Sequence, residues 1–406
     1  MGDFYQNGFV ATLHNLRARP YEELEKKLLK FSSNRPIGLI IPSLYSELSR
    51  QALKDIVKVL KDIPYISEIV IGLDQADDFQ YKNALEYFAE LPQHHRVIWN
   101  DGPKMQKFKE KLASKKIDTS VPGKGRNVWF CFGYMISSDR SEAIALHDAD
   151  IITYNREMLA RLVYPVADPS FNFKYCKGYY FRTDDDKMHG RAVRLLVTPL
   201  LRTLKKLIGF HSYLEYLDSF RYPLAGEFSM RADVIKTIRI PYDWGLEIGI
   251  LSEVERNNTL NRICQVEIAD QYDHKHQSLS TEDAEKGLSK MSRDISRAIF
   301  AKLSSDGVTF TPEFFRTLKA TYWRIALDFV ELYKADSNMN SLSYDFHREE
   351  EVIDLFVKNV YQSGIDFLNN PDTVPLMPSW KRVQSAFPDI LEEFYQIVEE
   401  DNIPIT

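Results

Sequence analysis

Asp148-Ala149-Asp150 closes the apolar run EAIALH, and carboxylates two residues apart at the end of an extended segment point the same way. Hard oxygen ligands of this kind suit Mg2+ or Mn2+, which fills its remaining positions with water and phosphate oxygens, so the triplet could anchor a diphosphate. Two acids on a solvated strand end fit the same residues. Upstream, Pro122-Gly123-Lys124-Gly125 opens the apolar helical pattern RNVWFCFGYMISS. The free amides and positive dipole end of a helix N-terminus favour an anion, and Lys124 adds a point charge; an exposed turn would also read PGKG. His274, in YDHKHQSL after the apolar run ICQVEIA, offers an imidazole to a metal held by carboxylates, and His276 follows; a surface histidine is the commoner role for either.

Glu227 in PLAGEFSMR and Glu247 in DWGLEIG are acids in apolar, glycine-containing settings, costly to bury without a partner or a function. Gly226, Gly245 and Gly249 would let backbone approach a bound ligand, although glycine also marks turns and bulges. Glu247 equally suits a helix start, because WGLEIGILSEVER continues in a helical pattern. In Lys187-Met188-His189-Gly190-Arg191, glycine and arginine precede the apolar helix AVRLLVTPLL. Backbone amides, a dipole end and a guanidinium fork at one point suit a carboxylate or phosphate, with Arg182, Lys187 and His276 as further sources of positive charge.

The elements that must position these residues alternate. IGLIIPSL (37–44), EIVIGLD (68–74), HRVIWND (95–101) and EAIALHDAD (142–150) read as strands between helical patterns, the signature of a largely parallel sheet flanked by helices. In such sheets the loops beyond the strand C-termini build the ligand crevice. Beyond Asp150, FKYCKGYYFR, GEFSMRADVI and ICQVEIAD read as strands and HGRAVRLLVTPLLRTLKKL as a helix, which gives a mixed-sheet second half. Helical spacing dominates from about 285 to 402. The expected division is a domain over 1–284, with halves 37–150 and 151–284, and a helical region over 285–406.

With 406 residues, 44% hydrophobic and 27% charged, the chain has globular proportions. A net charge of -6, spread over mixed-sign helices, argues against nucleic acid as the main partner. MGDFYQNGFVATLHNL lacks a basic segment followed by an apolar one, and no stretch reaches the ~18 apolar residues of a membrane span. Cys131, Cys176 and Cys264 are odd in number and far apart, as buried thiols in a reducing cytoplasm would be.

Taken in order across about residues 37–280, several motifs resemble one family. They are Pro42-x-Leu44, a strand ending at Asp74, PGKG, DAD, GRxxxLxxxPLL, PLAGE, GLEIG and the His274 segment. The family is that of the retaining GT-A glycosyltransferases that make glucosyl-3-phosphoglycerate or mannosyl-3-phosphoglycerate. The resemblance implies a GT-A fold: an α/β, Rossmann-like mixed sheet flanked by helices, here with a C-terminal helical region. It further implies retaining transfer of glucose from UDP- or GDP-glucose to 3-phospho-D-glycerate, a divalent Mg2+ or Mn2+, a cytoplasmic homodimer, and neither nucleic acid nor membrane as partner.

By the same resemblance Pro42, Leu44 and Asp74 lie near the donor base. Gly123, Lys124 and Glu227 face donor phosphate or sugar, and Asp148 the ribose and metal waters. Asp150 and His274 hold the metal, while Glu247 and the Leu224 backbone face the donor sugar. Gly190, Arg191 and His276 take the acceptor. Asp150, Glu247, Leu224 and Lys124 are the expected catalytic set.

Departures are visible too: Pro42-Ser43-Leu44-Tyr45-Ser46-Glu47 replaces the family's Pro-Ala-Leu-Asn-Glu, Val193 stands for a threonine and His276 for an asparagine. The alternatives are a mannosyl transferase using GDP-mannose, or a direct synthase acting on free glycerate. A sugar nucleotidyltransferase would need a glycine-rich, arginine-containing loop that 37–50 lacks. A binding module without activity would not need all the motifs, and processive polymerases carry a Gln-x-x-Arg-Trp segment absent here.

Overall fold

The computed structural model describes residues 6, 8–184, 186–273, 287–371 and 376–403. Its strands are β1 (Ala11–Leu13), β2 (Ile37–Leu44), β3 (Ile66–Asp74), β4 (His94–Trp99), β5 (Ala143–Leu146), β6 (Tyr175–Arg182), β7 (Phe228–Arg231), β8 (Ile240–Pro241), β9 (Ile263–Tyr272) and β10 (Leu376–Met377). Eight of them form one sheet in the order β1-β9-β6-β7-β5-β2-β3-β4. Neighbours are parallel except where β7 lies antiparallel between β5 and β6. This is the mixed α/β sheet that the sequence implies.

Period-two alternation distributes the strand residues between two cores. Ile40, Val70, Ile98 and Ile144 face the buried helix Lys124–Ser138, whereas Leu39, Ile41, Ile71 and Ala145 face the helices Gln51–Leu60 and Arg156–Ala167. Both faces of the central strands are covered, which is why IGLIIPSL reads as an unbroken apolar run rather than an alternating one. Lys124–Ser138 is buried from Gly125 to Ile136, a helix apolar all round because it is sandwiched. Its outer face meets the C-terminal helices Trp380–Ala386 and Ile390–Asp401: Trp129 stacks on Trp380 with centroids 4.2 Å apart, and Phe130 lies 5.9 Å from Phe394. The helices Gly287–Ser305, Pro312–Met339 and Phe346–Asn369 belong to the same core.

Three expectations need correcting. β5 stops at Leu146, so Asp148-Ala149-Asp150 lies in the turn beyond the strand and strand alternation does not orient its carboxylates. GEFSMRADVI supplies only the four residues of β7 before a short helix, Ala232–Ile235, because Met230 and Phe228 need to fill the core only over that length. HGRAVRLLVTPLL begins with a widened π-type turn, Ala192–Val197, before the regular helix Thr198–Ile208. β1 and the N-terminal helix Tyr21–Ser32 were not among the expected elements.

Candidate active site

The C-terminal ends of the parallel strands meet at Lys124, the first residue of its helix, with Gly123 as its cap. Glycine is needed on both sides of it: a Cβ at Gly123 would strike the Tyr242 carbonyl, and one at Gly125 the Pro241 carbonyl. Held in that way, the Lys124 ammonium lies 2.7 Å from Asp148 and 3.2 Å from Glu247. Burial opposes its charge, but the two carboxylates outweigh burial and hold its pKa above the ordinary lysine value. Gly226 closes the cluster from below, since a Cβ there would collide with the Asp148 carboxylate. Glu247 enters from the first turn of the helix Leu246–Asn257, where the dipole favours an acid.

Glu227 sits behind this cluster, fully buried and not in the open space. Its two oxygens accept from the Tyr180 hydroxyl at 2.7 Å and the Tyr272 hydroxyl at 2.6 Å, and those two rings stack at 3.7 Å. Burial and then Asp148 raise its pKa, against which the tyrosine hydroxyls act. Lys177, buried in β6, donates to the Ala225 carbonyl at 2.6 Å and so fastens the turn that carries Leu224 and Gly226. Burial lowers its pKa to about 8, opposed by Glu247 and Glu227.

A cavity of about 110 Å³ opens beside Lys124, Asp148, Leu224 and Glu247. Arg182, Tyr222 and Tyr272 line it as well, together with Met291 and Ile295 of the helix Gly287–Ser305. At the other end of the edge, Leu44 and Asp74 are register partners on β2 and β3, with Pro42 buried beside Gly72. Asp74 pairs with Arg126 at 3.2 Å; burial raises the Asp74 pKa and Arg126 opposes the rise. A second cavity of about 460 Å³, lined by Asp101, Lys109, Thr119 and Arg126, adjoins this pair. The expected base contacts and the Lys124 cluster both lie at the C-terminal edge of the parallel strands, beside two separate cavities.

The acceptor group differs from expectation. Gly190 adopts φ +77° with the Tyr222 hydroxyl 3.2 Å from where its Cβ would be. Arg191 is not a free fork at a helix start: its Nε donates to Glu349 at 2.6 Å, while Arg194 donates to the other Glu349 oxygen at 2.9 Å. Glu349 is buried in the helix Phe346–Asn369, where an unpaired carboxylate would be costly, so the sequence-distant pair forms. Val193 is buried and packs with the core. His274 and His276, and with them the ligand set expected from Asp150 and His274, lie outside the described residues. Among the described residues no three His, Cys, Asp or Glu side chains converge on a metal position.

Sequence reasoning missed Lys177, Tyr180, Tyr222 and Tyr272 as parts of the site, and Trp244, which also lines the cavity beside Lys124. A lysine inside the otherwise apolar run YCKGYYF was a signal for the first, since a charge at a strand's centre needs a partner. The tyrosines carried none, because aromatic residues in strands are ordinary core.

A Rossmann-like mixed sheet thus carries a lysine, two acids and a cavity at the C-terminal edge of its parallel strands, where open α/β sheets bind their ligands. No protein-family model matches the chain. It is 45% identical over 402 residues to a glucosyl-3-phosphoglycerate synthase of Persephonella marina, covering 99% of both chains. It is 40% identical over 398 residues to one of Methanococcoides burtonii, covering 97% of this chain and 96% of that one. Among solved structures it resembles the glucosyl-3-phosphoglycerate synthase of Mycobacterium tuberculosis in complex with Mn2+, UDP-glucose and phosphoglyceric acid. That match has a TM-score of 0.53 at 18% identity and covers 73% of this chain and 88% of the other, a likeness of fold. The chain belongs to the glucosyl-3-phosphoglycerate synthase family. The full-length relatives extend through the C-terminal helical region as well.

Proposed function

We propose that this chain moves a glucosyl unit, with retention, from a nucleoside diphosphate glucose to 3-phosphoglycerate in the cavity beside Lys124. The observation that carries it is the Lys124 ammonium bound to Asp148 and Glu247 at the strand edge, next to a cavity partly lined by apolar side chains. The donor base lies along Pro42, Leu44, Asp74 and Arg126. Lys124 meets donor phosphate or sugar, Glu247 and the Leu224 backbone face the sugar, and Gly190 with Arg191 takes the acceptor phosphate.

Asp148 and Asp150 offer hard carboxylate oxygens in one turn, a donor set that fits Mg2+ or Mn2+ and agrees with the Mn2+ held by the M. tuberculosis protein. Such an ion supplies charge stabilisation for the departing diphosphate. Retention is favoured because the acids near the sugar position are engaged: Asp148 and Glu247 by Lys124, and Glu227 by two tyrosine hydroxyls. Inversion needs a carboxylate free to act as general base on the acceptor hydroxyl, and the same engagement argues against a covalent glycosyl intermediate as the route to retention. Among the described residues no helix is long and apolar enough to cross a membrane. The unpaired, buried Cys131, Cys176 and Cys264 support a cytoplasmic setting.

The test is to incubate the purified protein with UDP- and GDP-linked glucose and mannose, each with 3-phosphoglycerate or glycerate, and to read products by mass and NMR. An α-linked glucosyl-3-phosphoglycerate is expected, lost on chelation and restored by Mg2+ or Mn2+. Full turnover in excess chelator, or a β-linked product, would overturn the reading.

A further inference from the structure

We infer that Arg182 takes the carboxylate of the acceptor and so distinguishes 3-phosphoglycerate from a phosphate ester that lacks one; this rests on the acceptor reading above. Arg182 ends β6 and lines the cavity that holds Lys124 and Leu224. Among the described residues its buried Nε has no hydrogen-bond partner, and the guanidinium donates only to the Tyr222 hydroxyl, at 3.4 Å. No carboxylate among the described residues pairs with it.

The neighbouring cations are engaged. Lys124 has Asp148 and Glu247, Lys177 has the Ala225 carbonyl, and Arg191 and Arg194 share Glu349. A part-buried guanidinium without a counter-charge is costly, so this side of the cavity is built to receive an anion.

The chemistry of the acceptor decides which anion. In 3-phosphoglycerate the carboxylate is bonded to the carbon that bears the attacking hydroxyl, and the phosphate lies one carbon farther away. The charged group nearest the donor sugar is therefore the carboxylate, and Arg182 shares its cavity with the Leu224 turn. Arg191 reaches instead to Glu349 and is 29% exposed, a position for the more distant phosphate. Gly190, next to Arg191 in the chain, sits against this side of the cavity: a Cβ there would lie 3.2 Å from the Tyr222 hydroxyl and 3.8 Å from the Arg182 Cβ. A planar fork matches a carboxylate through two parallel hydrogen bonds, a geometry that an ammonium cannot copy.

The experiment measures binding of 3-phosphoglycerate and of glycerol 3-phosphate by calorimetry, with Mn2+ and UDP or GDP present, for the parent, Arg182→Gln and Arg182→Lys. Arg182→Gln is expected to weaken 3-phosphoglycerate binding ten- to about a hundredfold, to change glycerol 3-phosphate less than about threefold, and to leave donor KM unaltered. Should that variant fail to fold, Arg182→Lys serves, with at least about a fivefold loss confined to 3-phosphoglycerate. Equal weakening of both ligands, or no change for 3-phosphoglycerate, overturns the inference. A parent that binds no 3-phosphoglycerate removes the acceptor reading together with it, whereas a parent that binds it beside an unchanged variant removes this inference alone.

Discussion

Lys124 serves two acids with one ammonium, so its loss leaves Asp148 and Glu247 facing each other without a counter-charge. Lys124→Met is expected to lower kcat/KM by at least about 100-fold, the scale of two charge-assisted contacts, while thermal unfolding shifts by only a few degrees. Steady-state kinetics at saturating acceptor, with a melting curve for each protein, checks this; activity within about tenfold of the parent would remove Lys124 from the reaction. Lys124, Asp148 and Glu247 were legible in the sequence because each sits in a short pattern whose residue types have few structural uses. The Arg191 pairing was not, since Glu349 lies far along the chain inside an ordinary helical charge pattern. Nothing local separates that buried glutamate from the half-buried Glu350 and exposed Glu351 beside it.

β3 illustrates an element that is more than a scaffold for the crevice. Its C-terminal end carries Asp74, and near its other end Glu68 is fully buried and is the register partner of His94 on β4. Burial raises the Glu68 pKa to about 7, partly opposed by the Ser138 hydroxyl, and burial with Arg96 lowers that of His94 to about 4. A carboxyl whose folded pKa is raised lends stability below its unfolded value near 4.5, and that stability is lost as pH climbs through 7. A depressed histidine acts oppositely, adding stability as pH rises from about 4 to 6.5. The two therefore offset each other across the overlap. Glu68→Gln is expected to gain Tm relative to the parent between pH 5 and pH 8, as calorimetric scans at both would record; a difference independent of pH would contradict the assignment. Periodicity made β2, β3 and the Lys124 helix readable, because each runs long enough to display its repeat. β1 and β7 are three and four residues long, too short for a repeat to register.

At the scale of the molecule, the C-terminal helices are fixed to the sheet by aromatic contacts. The Trp380 indole donates to the Trp129 carbonyl at 2.9 Å, the Trp129 indole donates to the Pro378 carbonyl at 2.8 Å, and Gly133 leaves room for the Trp380 ring. Trp380→Ala is expected to cost about 3–5 kcal/mol, read as a lower denaturant midpoint at an unchanged slope. A loss below about 1 kcal/mol would mean that these helices rest on the sheet without being held by it.

The antiparallel placement of β7 has a consequence for how such enzymes diversify. β6 leaves the ligand edge at Arg182 and β7 returns to it at Phe228, so the excursion over residues 183–227 starts and finishes beside the same cavity. Gly190, Arg191, Tyr222 and Leu224 all ride on it. On the proposed reading, a change in preferred acceptor can thus be inherited as one cassette, exchanged between homologous genes without redrafting the strands assigned to the nucleotide.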